Sequence, residues 1–103
     1  MKMFILVRGD LDPSYRMVQG MHAVAELSMI AQSIRTMRGY WELWEKTMIC
    51  LVVKDQRELI KYQSKIPTDN IFSVWHEPDL NNEMTALACF PENDRIFKNL
   101  QLA

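Results

Sequence analysis

Residues 3–23 read MFILVRGDLDPSYRMVQGMHA and join a short apolar run to the start of a helix. The apolar run predicts a strand over Met3–Val7. Asp12 and Pro13 predict the helix start, because an Asp side chain accepts hydrogen bonds from free backbone amides and Pro suits the first helical position. We therefore expect a helix from Pro13 to about Arg35. The junction is polar, and α/β proteins usually place their sites at such a junction.

The rest of the chain alternates strand and helix patterns. Further strands are predicted over Thr47–Val53, Ile71–Trp75 and Met84–Cys89, and further helices over Gln56–Ser64 and around Asp94–Asn99. Strands separated by helices imply parallel crossovers, whereas the short polar loop between the third and fourth strands favours an antiparallel pair. The sequence thus predicts an α/β fold, a three-layer α-β-α arrangement with a four-stranded mixed sheet.

Length and composition limit the function classes. At 103 residues the chain is expected to form a single domain over residues 1–103. The net charge of −1 argues against strong non-specific nucleic-acid binding, which needs a basic face. No apolar run approaches the ~18 residues of a membrane span, and no signal-peptide pattern is present. We expect a cytoplasmic protein that does not bind a membrane.

The cysteines and glycines exclude several kinds of site. Cys50 and Cys89 lie inside apolar runs without any Cys/His ligand spacing, so we expect two buried free thiols, no metal site and no cofactor. Three glycines in the whole chain leave no Gly-rich phosphate loop.

The first helix has apolar residues on two stripes. Met17, Met21 and Met29 belong to these stripes, and we predict that they fill the core, together with Met37 beyond them. Gly20 in mid-helix costs ~1 kcal/mol relative to Ala. Close packing of the helix against a strand is the expected reason for this glycine.

Side chains able to do chemistry fall into three groups, at the first strand end, on the first helix and around the loop before the fourth strand: Arg8 and Asp10; Tyr15, Gln19 and His22; and Trp75-His76-Glu77-Pro78-Asp79 with Thr85. Strand ends can bring the first and third groups together. A hydrolytic reaction would use a carboxylate or His as base and water as nucleophile. Ordinary roles remain open: a turn cap for Asp10, a core position for His22, a surface position for Gln19 and a solvated turn for residues 77–79.

Three segments together point to one family: Leu6-Val7-Arg8-Gly9-Asp10-Leu11, Gln19-Gly20-Met21-His22-Ala23, and Thr85-Ala86-Leu87-Ala88 followed by Pro91. In order and spacing they resemble the type 2 peptidyl-tRNA hydrolases, the archaeal and eukaryotic kind, with their Arg-x-Asp-Leu, Gln-x-x-His-Ala and Thr-x-Leu-Ala-x-x-Pro patterns. The resemblance implies a four-stranded mixed sheet between helices and a homodimer. It also implies metal-free cleavage of the ester between a peptide and its tRNA.

The polar residues and the resemblance together define the predicted site. Its catalytic groups are Asp10, His22, Glu77 and Asp79, and its substrate-binding groups are Arg8, Tyr15, Gln19 and Thr85. Two departures from the family pattern indicate a divergent branch. Tyr15 occupies the position of the family's catalytic lysine, and the loop that carries the family's catalytic Asp is shorter here, with Glu77 or Asp79 as its substitutes.

Two functions are therefore predicted as alternatives. The first is an ester hydrolase acting on peptidyl-tRNA or a related aminoacyl ester, with tRNA as its partner. The second is a non-catalytic binding protein of the same fold that recognises a tRNA end, a nucleotide or a protein through its aromatic segment Tyr40–Trp44.

Overall fold

The computed structural model describes residues 1–33, 39 and 41–103 and has a five-stranded mixed sheet packed against helices. The strands are β1 (Met3–Arg8), β2 (Met48–Val53), β3 (Ile71–Glu77), β4 (Glu83–Phe90) and β5 (Gln101–Leu102). The helices are α1 (Pro13–Ser33) and α2 (Gln56–Ser64), and two short 3-10 helices span Pro78–Leu80 and Asp94–Phe97. The α/β class and the start of α1 at Pro13 are confirmed. The predicted end of α1, Arg35, lies outside the described residues.

The sheet has the strand order β3-β4-β1-β2-β5. β1 is parallel to β2, whereas β4 is antiparallel to both β1 and β3, as the crossover and loop lengths predict. The predicted number of four strands is wrong, because β5 pairs antiparallel with β2 through Leu51 and Leu102. A strand of two residues is too short to show an alternating pattern in the sequence. β5 forms because the outer edge of β2 is free to pair with it. The predicted last helix is a 3-10 helix, Asp94–Phe97.

Strand directions bring several polar residues to one edge of the sheet. β1, β2 and β3 run the same way, since β4 is antiparallel to β1 and to β3. Their carboxyl ends, at Arg8, Val53 and Glu77, therefore lie at the same edge as the amino end of β4 at Glu83. The amino end of α1 follows β1 at this edge, which thus resembles the site-bearing edge of other α/β sheets.

Alternate residues of β1 supply two separate cores. Ile5 and Val7 pack with Ala23 and Leu27 of α1, whereas Phe4 and Leu6 pack with residues of α2 and the second 3-10 helix: Leu59, Tyr62 and Phe97. Successive side chains of a strand point to opposite faces, so a strand that is apolar throughout is covered on both sides. All six residues of β1 are buried.

The methionines of α1 are not in the core, contrary to the prediction. Met17, Met21 and Met29 are 63–65% exposed. The buried contact face of α1 consists largely of small residues instead, with Gly20, Ala23 and Ala31 beside Leu27. At Gly20 the helix lies so close to β1 that a side chain would crowd Val7 and Ile5. Met37 lies outside the described residues.

Gly20 marks the close contact between α1 and β1. A Cβ atom at this position would lie 3.1 Å from Val7 Cγ1 and 3.4 Å from Ile5 Cγ2. The prediction of close helix–strand packing at Gly20 is confirmed.

The aromatic segment before β2 packs against the body of the protein. Trp41 and Trp44 are partly buried, and their rings lie 6.2 and 6.1 Å from that of Phe90. Trp44 Nε1 donates to the Thr47 carbonyl at 2.9 Å. Both tryptophans therefore pack partly against the core. Tyr40 lies outside the described residues.

Two further expectations concern the thiols and the helices. Cys89 is buried and free, as predicted, and Cys50 is free and partly buried. Burial raises the pKa of the Cys89 thiol to about 12. No helix in the described part of the chain is long and apolar enough to cross a membrane.

Enlarging Gly20 should separate α1 from the sheet. We expect Gly20→Leu to lower the free energy of unfolding by about 1–3 kcal/mol through overpacking, measured by urea denaturation. The matched control is Gly39→Leu, since a Cβ atom at Gly39 meets none of the described residues within 4 Å. Equal stability of the two variants would contradict the close contact.

Candidate functional site

Arg8 links three parts of the site-bearing edge. Its Nε and Nη2 atoms bind the two carboxylate oxygens of Asp10 at 3.0 and 2.8 Å, while Nη1 binds Glu83 Oε1 at 2.8 Å and the Met84 carbonyl at 3.2 Å. The Arg8 side chain is 7% exposed. A guanidinium group bound in this forked manner fixes the geometry of its partners. Arg8 thus ties the end of β1 to the start of β4.

These ion pairs decide the charge state of Asp10. Its hydrogen bonds with Arg8 hold the pKa of the Asp10 carboxyl below its usual range, although partial burial opposes the effect. The same bonds raise the pKa of Arg8 above its usual range. Asp10 is consequently a firmly ionised carboxylate with a cation on both oxygens. Such a carboxylate is a weak proton acceptor.

Gln19 and Thr85 form a buried polar contact between α1 and β4. Thr85 Oγ1 donates to Gln19 Oε1 at 2.7 Å and lies 3.5 Å from the Trp75 carbonyl oxygen. The two side chains are almost fully buried, which excludes a surface position for Gln19. Trp75 pairs with Ala86 and His76 with Met84, so Thr85 is the extra residue of a β-bulge. A bulge re-aims its side chain, here toward α1.

Glu77 lies at the end of β3 beside aromatic residues. The Trp75 indole Nε1 donates to Glu77 Oε2 at 2.8 Å. Glu77 is 8% exposed and is therefore not part of a solvated turn. The Tyr15 hydroxyl group lies near enough to this carboxylate to feel its negative charge. Desolvation raises the pKa of Tyr15, and the negative charges of Glu77 and Asp79 raise it further, so Tyr15 is a neutral phenol.

His22 reaches the same group from α1. Its ring stacks on that of Trp75, with centroids 4.3 Å apart and planes inclined by 12°. A hydrogen bond also joins β3 to α1, in which Ser73 Oγ donates to the Ala23 carbonyl at 2.6 Å. His22 is thus partly buried against an aromatic ring of the site.

The structure brings most predicted site residues to one edge of the sheet, in two neighbouring groups. One group is the ion-pair cluster of Arg8, Asp10 and Glu83, and the other consists of Tyr15, His22, Trp75 and Glu77. The hydrogen bond between Gln19 and Thr85 lies between α1 and the sheet, beside Trp75. Asp79 is exposed in the 3-10 helix Pro78–Leu80, and its negative charge contributes to the raised pKa of Tyr15.

Sequence reasoning included Trp75 in a candidate group but assigned it no role, and it missed Glu83 as a member of the site. Strand alternation was the available signal for a role of Trp75, because Ser73, Trp75 and Glu77 are two apart and face α1 together. Glu83 had no comparable signal, since its role depends on a contact with Arg8, 75 positions away. Across the described residues, no group of three or more His, Cys, Asp or Glu side chains is arranged to hold a metal ion.

A comparison with protein families identifies the relationship of this chain. The model of the peptidyl-tRNA hydrolase PTH2 family matches residues 1–102. The chain belongs to this family. Membership implies peptidyl-tRNA hydrolase function with peptidyl-tRNA as substrate, and it confirms the family predicted from the sequence. A comparison with curated proteins found no match.

The low pKa of Asp10 predicts a pH-dependent contribution to stability. A carboxyl group whose pKa falls on folding stabilises the fold above its unfolded pKa of ~3.9, and this contribution is lost as the pH falls through the lower folded value. Because Asp10 is 41% exposed, we expect Asp10→Asn to cost only about 1 kcal/mol at pH 7. The cost should shrink below pH ~4 in denaturant titrations. A cost that is the same at pH 7 and pH 3, or one shared by the exposed control Asp94→Asn, would contradict this role.

Proposed function

We propose that this chain hydrolyses the ester bond of peptidyl-tRNA, or of a related aminoacyl ester, with Glu77 as the general base. The observation that supports this role is the environment of its carboxylate. Glu77 is buried and accepts a hydrogen bond from the neutral indole of Trp75. Among the described residues it forms no ion pair. A carboxylate without a cationic partner remains available to take a proton.

The other predicted catalytic groups fit this role less well. Both oxygens of Asp10 are bonded to Arg8. Asp79 is exposed to solvent, and His22 is stacked on an indole ring. Gln19 and Thr85 are almost fully buried, so we assign them to positioning α1 and β4 rather than to direct contact with substrate.

The proposed reaction needs one water molecule. Its oxygen attacks the ester carbonyl carbon while one of its protons passes to Glu77. The bond from that carbon to the ribose oxygen then breaks, and the proton on Glu77 moves to the departing oxygen. The Tyr15 hydroxyl group lies beside Glu77 and can donate a hydrogen bond to the charge that develops on the carbonyl oxygen.

Tyr15 also supports the assignment to a divergent branch. We infer that the branch lacks the catalytic lysine of the family, because Tyr15 occupies the corresponding position and no lysine lies between Lys2 and Lys46. A neutral phenol can donate a hydrogen bond but supplies no positive charge. A tRNA substrate is in keeping with a cytoplasmic location, which we also propose.

Loss of the base should abolish turnover without unfolding the protein. We expect the wild-type protein to cleave diacetyl-lysyl-tRNA faster than buffer does, and Glu77→Gln to lower kcat/KM by ~100-fold or more. The amide group of this variant would keep an oxygen to accept the Trp75 N–H bond. Glu42→Gln, at an exposed position, is the matched control with full activity. Wild-type turnover at the buffer rate, with high enzyme concentration, would overturn the hydrolase assignment and leave a binding protein.

We further propose a homodimer, which the resemblance implies and an apolar surface supports. Met17 and Met21 are exposed at the rim of a groove of about 620 Å³ between α1 and β2. Apolar residues dominate the groove, among them Ile5, Val7, Val24 and Met48. In a two-fold dimer, the methionines of each copy can enter the groove of the other, because the same surface carries the protrusion and the recess.

The dimer is tested by sedimentation. We expect a species of twice the 12.2 kDa chain mass, and we expect Met21→Glu to shift it to the monomer by placing a charge in the apolar contact. The control Ile60→Glu changes a residue of α2 that is 47% exposed, and it should stay dimeric. A monomeric wild-type protein at high concentration would refute the dimer.

A further inference from the structure

The backbone and the side chain of Glu77 are held by different parts of the structure. The Glu77 carbonyl accepts a hydrogen bond from the Asn82 amide at 2.9 Å, and the residue pairs with Glu83 across the hairpin. These contacts fix the backbone but leave the carboxylate free to rotate. The hydrogen bond from Trp75 Nε1 to Oε2, at 2.8 Å, is the contact that orients the carboxylate from within β3.

The orientation of the Trp75 indole depends in turn on α1. The His22 ring lies nearly parallel to the indole at a centroid separation of 4.3 Å. Offset or parallel aromatic pairs of this kind restrict the rotation of both rings. His22 therefore sets the plane of the indole, and the indole N–H group sets the direction of the carboxylate.

We propose that the stacked pair of His22 and Trp75 is a positioning device that aims the Glu77 carboxylate at the substrate. Trp75 acts through Glu77, and His22 acts through Trp75. In this arrangement His22 is a positioning residue and not the base. The bonded oxygen of Glu77 is fixed by the indole, and the second oxygen is left to bind the attacking water. The inference rests on the proposed function, since it assigns the chemistry to Glu77.

The protein contains a matched control for the indole N–H bond. Trp44 Nε1 also donates a hydrogen bond, to the Thr47 carbonyl at 2.9 Å, and Trp44 packs on Phe90 outside the site. Trp75→Phe and Trp44→Phe therefore each remove one indole donor and retain an aromatic ring. A structural role alone would make the two variants equivalent in activity. A positioning role affects Trp75→Phe alone.

The experiment measures kcat and KM on diacetyl-lysyl-tRNA, with the unfolding midpoint of each variant. We expect Trp75→Phe to lower kcat by ~10–100-fold, because a displaced catalytic group loses rate steeply with distance. KM should change less than ~2-fold, since the carboxylate acts mainly in the chemical step. Trp44→Phe should keep the wild-type kcat. Equal kcat values for the two variants, or a loss confined to KM, would overturn the positioning role.

Two variants of His22 separate positioning from proton transfer. His22→Phe keeps a flat ring for stacking but has no titratable nitrogen, whereas His22→Ala loses both. We expect His22→Phe to retain at least ~10 times the kcat of His22→Ala. If both variants are equally inactive while still folded, His22 takes part in proton transfer and the inference fails. Wild-type inactivity would instead refute the proposed function, so the two failures are distinguishable.

Discussion

The close contact between α1 and β1 at Gly20 determines most other features of the molecule. With no Cβ atom at this position, the helix approaches the side chains of Ile5 and Val7 directly. This distance lets Gln19 reach Thr85 on β4 and lets the His22 ring lie against Trp75 on β3. The long methionine side chains of α1 lie on its exposed side. The close approach at Gly20 thus accompanies both the polar contacts of the site and an apolar outer surface.

Two carboxylates at the same edge of the sheet have opposite surroundings. Asp10 binds the guanidinium group of Arg8, which lowers its pKa and fixes its charge. Glu77 is more buried but accepts a hydrogen bond from a neutral indole. A bound cation stabilises the charged form of a carboxylate and so makes it a weaker base. A neutral hydrogen-bond donor also orients a carboxylate but weakens it less as a base. The two surroundings are consistent with a structural role for Asp10 and with the role proposed for Glu77.

Local patterns predicted the parts of this protein that depend on neighbouring residues. Helix α2 has the bounds Gln56–Ser64 expected from its sequence, with Asp55 as its N-cap, and the family motifs identified the polar junction after β1. The features that were missed depend on long-range contacts. β5 exists because β2 has a free edge, and Glu83 joins the site because Arg8 reaches it across the sheet. The methionine stripes of α1 also misled, since periodicity identifies an apolar face but not the distance between helix and sheet.

The neutral side chain at position 15 limits how the site can stabilise charge. Desolvation and the adjacent carboxylates raise the pKa of Tyr15, so its proton stays on the oxygen at neutral pH. Arg8 is not free to supply a positive charge to a substrate, because Asp10, Glu83 and the Met84 carbonyl already surround it. In the proposed reaction, a hydrogen bond from the Tyr15 hydroxyl group would stabilise the oxyanion, and its effect depends on accurate geometry. The rate of the proposed reaction therefore depends closely on the placement of the Glu77 carboxylate.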